Sequence, residues 1–211
     1  MMNLTRPIPR KSRVMPPMRF AAIKPNISVH CDSHLEMCFY HLLEFDKAVH
    51  TYKPQPFSFS YKVDGKIRRY TPDVLVKYVD GHFESWEVKS QFEALKPKFQ
   101  KKYDRLTQVF NEDIGHPLRL VTCDTIKKGC TVANLRELYR FRLINIPQET
   151  LDQASSILTV GQEYHLSELH QIFKSLNSSA SAIKMLIAHG LLSFDFAKPL
   201  NESTILKFES V

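Results

Sequence analysis

The stretch RRYTPDVLVKYVDGHFESWEVKS, Arg68 to Ser90, decides how this chain folds. Val74 and Val76 alternate along its first arm, Trp86 and Val88 along its second, and the Asp80-Gly81 step between them is a hairpin signal. Three polar residues stand out against that pattern: Asp73, straight after Pro72, and Glu87 and Lys89 on the return strand. Neighbours on a strand point to opposite faces, so Glu87 and Lys89 share the face away from Trp86 and Val88. Asp73 joins them only if it stands opposite Glu87. A two-residue Asp80-Gly81 turn pairs 79 with 82 and therefore 73 with 88, which separates the two carboxylates. A shared site requires an odd-length loop or a bulge. The alternative is an exposed hairpin with a solvated face.

Two carboxylates held close together repel unless a cation lies between them. A hard divalent ion such as Mg²⁺ takes oxygen ligands, commonly one or two carboxylates completed by water and substrate phosphate. Such an ion acidifies water and stabilises charge on phosphate oxygens. A lysine beside it can orient or deprotonate that water, or neutralise developing charge. The carbonyl of Val88, between Glu87 and Lys89, is a further hard ligand. Pro72-Asp73, thirteen intervening residues and Glu87-Val88-Lys89 make the PD-(D/E)xK pattern. It is a loose motif by itself, and its setting strengthens it.

That setting is a helix upstream and another downstream. SHLEMCFYHLLEFDKAV carries Leu35, Phe39, Leu42 and Leu43 on one helical face. Ser33 and Glu36 fit a capping box. Nucleases with this pattern often place a third acidic residue on that helix, aimed at a second metal position, and Glu36 resembles it. Strands are expected at about 57–63, 66–70, 73–79 and 82–89. KPKFQKKYDRLTQVFNE then reads as a helix, with Pro97 in its first turn and a stripe of Phe99, Tyr103, Leu106 and Phe110. PLRLVTCD is a short buried strand and TVANLRELYRFRL a further helix. The expected core is the α-β-β-β-α-β arrangement of restriction-endonuclease-like folds, a mixed sheet flanked by helices, over residues 29–145.

Residues 1–28, with Arg6, Arg10, Lys11 and Arg13, read as a basic arm, and with no apolar segment behind them no secretory signal is expected. NIPQET, 145–150, reads as a linker. In 146–211, two short helices ending at Gly190 and two short strands, SFDF and TILKF, suggest a small winged-helix-like α+β module. No apolar run is long enough for a membrane span, and no Walker-type loop is present, so ATP binding is not expected.

The chain of 211 residues carries a formal charge of +7, which favours a polyanionic partner. Lys96, Lys98, Lys101, Lys102 and Arg105 on the helix after the motif, with Arg68 and Arg69 before it, are candidate phosphate contacts. Four cysteines without a CxxC step read as reduced intracellular thiols. Cys31, His34, Cys38 and His41 have zinc-like spacing, but most lie on one short helix, where four ligands do not converge.

At SHLE, RYTPDVLV and WEVKS the sequence resembles TnsA, the endonuclease subunit of TnsABC-type heteromeric transposases, including those of CRISPR-associated transposons. The resemblance covers roughly residues 20–145. It implies a double-stranded DNA substrate, the transposon ends, cut on the non-transferred strand at the 5′ ends. It also implies a TnsB-type transposase that cuts and joins the 3′ ends, a TnsC-type AAA+ regulator, and a cytoplasmic, nucleoid-associated setting. Glu36 and Asp73 would be metal ligands, Glu87 a ligand or near-ligand, and Lys89 the water-organising base or charge stabiliser. Mg²⁺ is the expected cofactor, with Mn²⁺ able to substitute. A stand-alone PD-(D/E)xK nuclease of restriction or phage type, and a non-catalytic DNA-binding adaptor, are the alternatives.

Overall fold

The computed structural model describes residues 18–209 and divides the chain into two compact units, one up to Lys127 and one from Lys128. The first unit opens with a hairpin of β1 (Met18–Ala22) and β2 (Ile27–Cys31), which buries Phe20, Ala22, Val29 and Cys31. The expected basic arm therefore ends earlier than residue 28, because these alternating apolar residues have a core to enter. Its basic residues Arg6 to Arg13 lie outside the described residues.

Helix α1 (His34–Phe45) follows, with Ser33 as N-cap. It buries Cys38, Phe39, Tyr40 and Leu43, and Phe39 meets Trp86 with ring centroids 5.4 Å apart. It also buries the whole side chain of Glu44. That carboxylate accepts from the Ile23 backbone N–H at 2.9 Å and from the Tyr52 hydroxyl at 2.8 Å. It thereby ties the opening hairpin, α1 and the next strand together, and its polar atoms are met as burial demands.

The next elements are β3 (Val49–Pro54), β4 (Phe59–Val63), β5 (Lys66–Tyr70), β6 (Val74–Tyr78) and β7 (Phe83–Lys89). Beyond them come the one-turn α2 (Gln91–Ala94), α3 (Pro97–Val109) continuing into a π-turn over Phe110–Ile114, β8 (Leu118–Thr122) and the short α4 (Cys123–Ile126). The main sheet has the order β3-β6-β7-β8. Its first two pairings are antiparallel and β7 runs parallel to β8. With α1 before it and α3 between β7 and β8, this is the expected mixed sheet flanked by helices.

Two details differ from the sequence expectation. Strand β3 escapes the alternation test because a register shift between Val49 and Thr51 breaks its period, and Pro54 ends it with Pro56 close behind. The strands at 59–63 and 66–70 do not join the main sheet; β4 and β5 form a two-stranded sheet of their own. Their inner face packs Tyr61 and Tyr70 against Leu106, Val109, Phe110 and Leu118.

The second unit contains α5 (Thr131–Arg142), α6 (Gln148–Ile157), β9 (Glu163–His165), α7 (Leu166–Ser175), α8 (Ala182–Ala188), β10 (Leu192–Ser193) and β11 (Ile205–Phe208). Its sheet has the order β10-β11-β9. Helix α5, expected with the first unit, belongs to the second: Arg142 donates to the Ala188 carbonyl, and Lys184 pairs with Glu137. The division therefore falls near residue 127 rather than 145. The expected linker at 145–150 already contains the start of α6 at Gln148, which Pro147 precedes. Gly190 ends α8 at φ 81°. Its N–H reaches Ile187 and that of Leu191 reaches Leu186, the paired bonds of a Schellman ending.

Gly129, at φ +52°, starts this unit under tight constraint: a Cβ there would fall 2.2 Å from the Ala197 carbonyl oxygen, which accepts the Cys130 N–H. Gly129→Ala is expected to destabilise the C-terminal unit by at least about 2 kcal/mol, from left-handed backbone strain and backbone collision together. Thermal melting checks this; an unchanged melting curve would show that the loop yields at no cost. Among the described residues no helix is long and apolar enough to cross a membrane.

Candidate active site

The β6–β7 hairpin has the register a shared site needs. Val74 pairs with Trp86 and Lys77 with Phe83, which extends to Tyr78 opposite His82 and Asp73 opposite Glu87. Val79, Asp80 and Gly81 therefore form a three-residue loop. Gly81 takes φ 93°, a left-handed conformation that glycine adopts without penalty. The odd loop length is what turns Asp73 and Glu87 to one face. Val74 and Val76 are fully buried on the other.

Asp73 stands just before β6 and is pinned at both ends. Its N–H donates to the Trp86 carbonyl at 3.1 Å, and its own carbonyl accepts the Gln55 N–H at 2.9 Å. Its Oδ2 accepts the Val88 N–H at 2.7 Å. The Lys89 ammonium then gathers three oxygens around one positive charge. Nζ lies 3.4 Å from Asp73 Oδ2, 3.0 Å from Glu87 Oε1 and 3.0 Å from the Val88 carbonyl oxygen.

Glu87 is 3% exposed. Its Oε2 accepts the Tyr70 hydroxyl at 2.5 Å, and Lys102 on α3 brings its Nζ to 3.9 Å from Oε1. The same ammonium lies 4.9 Å from the centre of the Tyr70 ring. Lys102, expected as a phosphate contact, is thus part of the site wall. Tyr70 was not singled out by sequence because it reads as one more apolar strand residue; only its place opposite Glu87 gives the hydroxyl a role.

Glu36 performs the capping task and more. Its N–H donates to Ser33 Oγ at 3.1 Å, Ser33 Oγ donates to Oε1 at 3.0 Å, and the Asp32 N–H donates to Oε2 at 3.2 Å. Burial first, and then the charge of Asp73, raise its carboxyl to about 7. Glu36 is therefore within electrostatic range of Asp73 while held by its own cap.

The other charges follow the same logic. Burial, then the charge of Glu87, raise the Asp73 carboxyl to about 6 although Lys89 and the Val88 N–H oppose them. For Lys89, burial acts to lower the pKa, but the charges of Asp73 and Glu87 outweigh it and the pKa is raised. The centre thus holds more negative charge than Lys89 fully compensates.

Among the described residues, no group of three or more His, Cys, Asp or Glu side chains is arranged to hold a metal ion by itself. Glu36, Asp73 and Glu87 are therefore not one closed ligand cage. The fit lies elsewhere: Asp73 Oδ2, Glu87 Oε1 and the Val88 carbonyl already surround a cation, the Lys89 ammonium, and all three are hard oxygen donors. A partial oxygen shell of this kind suits a Mg²⁺ ion that keeps open positions for water and phosphate. His34 and Cys38 lie 3.5 Å apart, and Cys31 and Cys38 are buried and in no disulfide, in line with a core role.

The other basic candidates make contacts elsewhere or lie exposed. Lys101 pairs with Asp64 at 2.8 Å, and Arg105 donates from Nε to the Lys62 carbonyl at 3.3 Å. Lys96 pairs with Glu93 and lies 4.6 Å from the Phe92 ring centre. Lys98 is exposed on α3, and Arg68 and Arg69 are exposed on β5.

The family model described as TnsA-like endonuclease N terminal matches residues 46–122. Over these residues the first unit is similar to the N-terminal endonuclease domain of TnsA-like proteins. The match runs from β3 to the end of β8, so it takes in Asp73, Glu87 and Lys89 and begins after Glu36. No curated protein matches the chain significantly.

Proposed function

We propose that this chain is a Mg²⁺-dependent DNA endonuclease of a Tn7-like transposition complex, cutting the non-transferred strand at the 5′ ends of the transposon. The observation that carries the proposal is the convergence of Asp73 Oδ2, Glu87 Oε1 and the Val88 carbonyl on one cation inside a TnsA-like endonuclease domain.

Asp73, Glu87 and the Val88 carbonyl would hold the metal, with Glu36 facing a second position. The metal, when bound, supplies a Lewis acid for the phosphate oxygens and lowers the pKa of water. Lys89 is the chain's own contribution to the reaction. Released from its carboxylates, its ammonium is placed to orient the attacking water or neutralise charge on the phosphate. Tyr70 holds Glu87 in place through its hydroxyl, and Lys102 adds positive charge beside it. Lys96, Lys98, Lys101, Arg105 and Arg68 provide basic surface for phosphate contacts, and Arg69 adds basic surface toward the DNA.

A TnsB-type transposase making the 3′ cuts and a TnsC-type AAA+ regulator are the proposed partners. The second unit supports a winged-helix-like reading through its order of α6, β9, α7, α8, β10 and β11. The test is strand-resolved cleavage of transposon-end DNA in Mg²⁺, with and without the transposase encoded beside this chain. Cutting at the 5′ ends that requires the transposase is the expected result. Cutting that ignores the transposase would make the chain a stand-alone nuclease. No cutting in either arm, with end binding retained, would make it an adaptor.

A further inference from the structure

The β4–β5 hairpin stands outside the main sheet, and its two faces differ in kind. Its inner face holds Tyr61 and Tyr70, buried against α3 and β8. Residues directly opposite share a face, and the register pairs Ser60 with Arg69 and Lys62 with Ile67. These four make the outer face, and all four are exposed. Ile67 is 77% exposed, the most of any large apolar residue among the described ones. Arg68 and Lys66 flank it on the same strand and are also exposed. Neither β4 nor β5 contributes an acidic residue to the outer face; Asp64, in the turn, is paired with Lys101.

The hairpin is also tied to the rest of its unit. Arg105 bonds the backbone carbonyl of Lys62, Lys101 holds the turn, and Tyr70 at the far end of β5 donates to Glu87. A basic two-stranded ribbon with one exposed isoleucine near its turn has the chemistry of a DNA groove reader. The major groove, about 12 Å wide, admits such a ribbon. Two five-residue strands extend about 17 Å, or roughly five base pairs of groove. Arginine there pairs with guanine O6 and N7, and an apolar side chain meets the thymine methyl group.

We propose that the β4–β5 ribbon enters the major groove beside the scissile phosphate and reads base sequence through Arg69 and Ile67, with Lys62 and Ser60 on the same face. The proposal rests on the endonuclease reading above and deepens it: Tyr70 couples the ribbon to Glu87, so groove register and phosphate position are set together. Arg68 and Lys66, off this face, serve the phosphates.

The test is selection of bound duplexes from a random-sequence DNA pool by the full-length chain in Ca²⁺, which separates binding from cutting. Wild type is compared with Ile67→Ser, Arg69→Ala and Arg68→Ala; all three positions are exposed, and thermal melting confirms folding. Ile67→Ser and Arg69→Ala are each expected to erase preference at one or two base positions. The loss at the Arg69 position should be about tenfold. Replacing thymine by uracil at the Ile67 position should weaken wild-type binding about fourfold, the worth of one methyl group, and leave Ile67→Ser unchanged. Arg68→Ala should weaken all sequences alike and reduce the salt slope by about one.

Wild-type binding without sequence preference would overturn the ribbon's role and leave the nuclease reading standing. So would a preference that both outer-face variants retain, which is the result expected if the ribbon meets a protein instead. Wild type that binds no DNA here and cuts none in Mg²⁺ with the transposase would overturn both.

Discussion

Asp73→Asn is expected to reduce strand cleavage by about 10³-fold or more, the scale seen when an essential group of a catalytic centre is removed. The same substitution should leave the metal-free protein as stable or more stable near neutral pH. The two effects have one cause. Asparagine keeps an oxygen that can accept the Val88 N–H, now made at 2.7 Å to Asp73 Oδ2, so the strand end keeps its anchor. What it removes is a buried negative charge beside Glu87, whose cost shows in a carboxyl raised to about 6.

The sign follows from linkage. Asp73 and Glu36 both have folded-state values above the ordinary carboxylate range, near 6 and 7. They contribute stability that is fully present below about pH 4 and is lost as pH rises through those values. Metal-free wild type should therefore melt at progressively lower temperature from about pH 4 to pH 8. Asp73→Asn should flatten that decline and leave the part due to Glu36, and added Mg²⁺ should flatten it in wild type alone. Single-turnover cleavage with melting curves across pH measures all of this. An Asp73→Asn protein that cuts within about tenfold of wild type would remove Asp73 from the catalytic centre.

Lys89→Met is expected to give the second large effect, with the opposite sign on stability. The ammonium neutralises Asp73 and Glu87 and meets the Val88 carbonyl, and its partners are mostly buried. Removing one partner of a buried ion pair leaves uncompensated charge, at a cost of about 3 kcal/mol or more. At pH 8 the metal-free variant should melt several degrees below wild type. At pH 5 the difference should shrink, because Asp73 then carries a proton of its own. Mg²⁺ should restore most of the lost stability at pH 8, since a cation can take the vacated position, but cleavage should stay low without the lysine. Equal melting temperatures of the two proteins at pH 8 would show that the three oxygens do not depend on this cation.

Much of the candidate site was legible in the sequence because its signals are local. Strand alternation placed Glu87 and Lys89 on one face, and the Ser33–Glu36 capping box marked the start of α1. The stripe on α3 named Leu106 and Phe110 as core. Even the need for an odd loop between β6 and β7 follows from period-two geometry alone.

Other features depend on contacts that no local period encodes. A bulge hid β3. The detachment of β4 and β5 from the main sheet depends on Tyr61 and Tyr70 finding α3 and β8, distant in sequence. The choice of a three-residue loop over a two-residue one is a choice between registers, settled by which side chains the core buries. Glu44 reads as a surface helix residue until the Ile23 N–H and Tyr52 hydroxyl close over it. Local period and turn chemistry were enough to name the candidate residues and the turn able to bring them round. That Asp73, Glu87 and the Val88 carbonyl meet around the Lys89 ammonium, with Tyr70 and Lys102 as the wall behind them, came from the fold, because convergence and burial are properties of packing between segments.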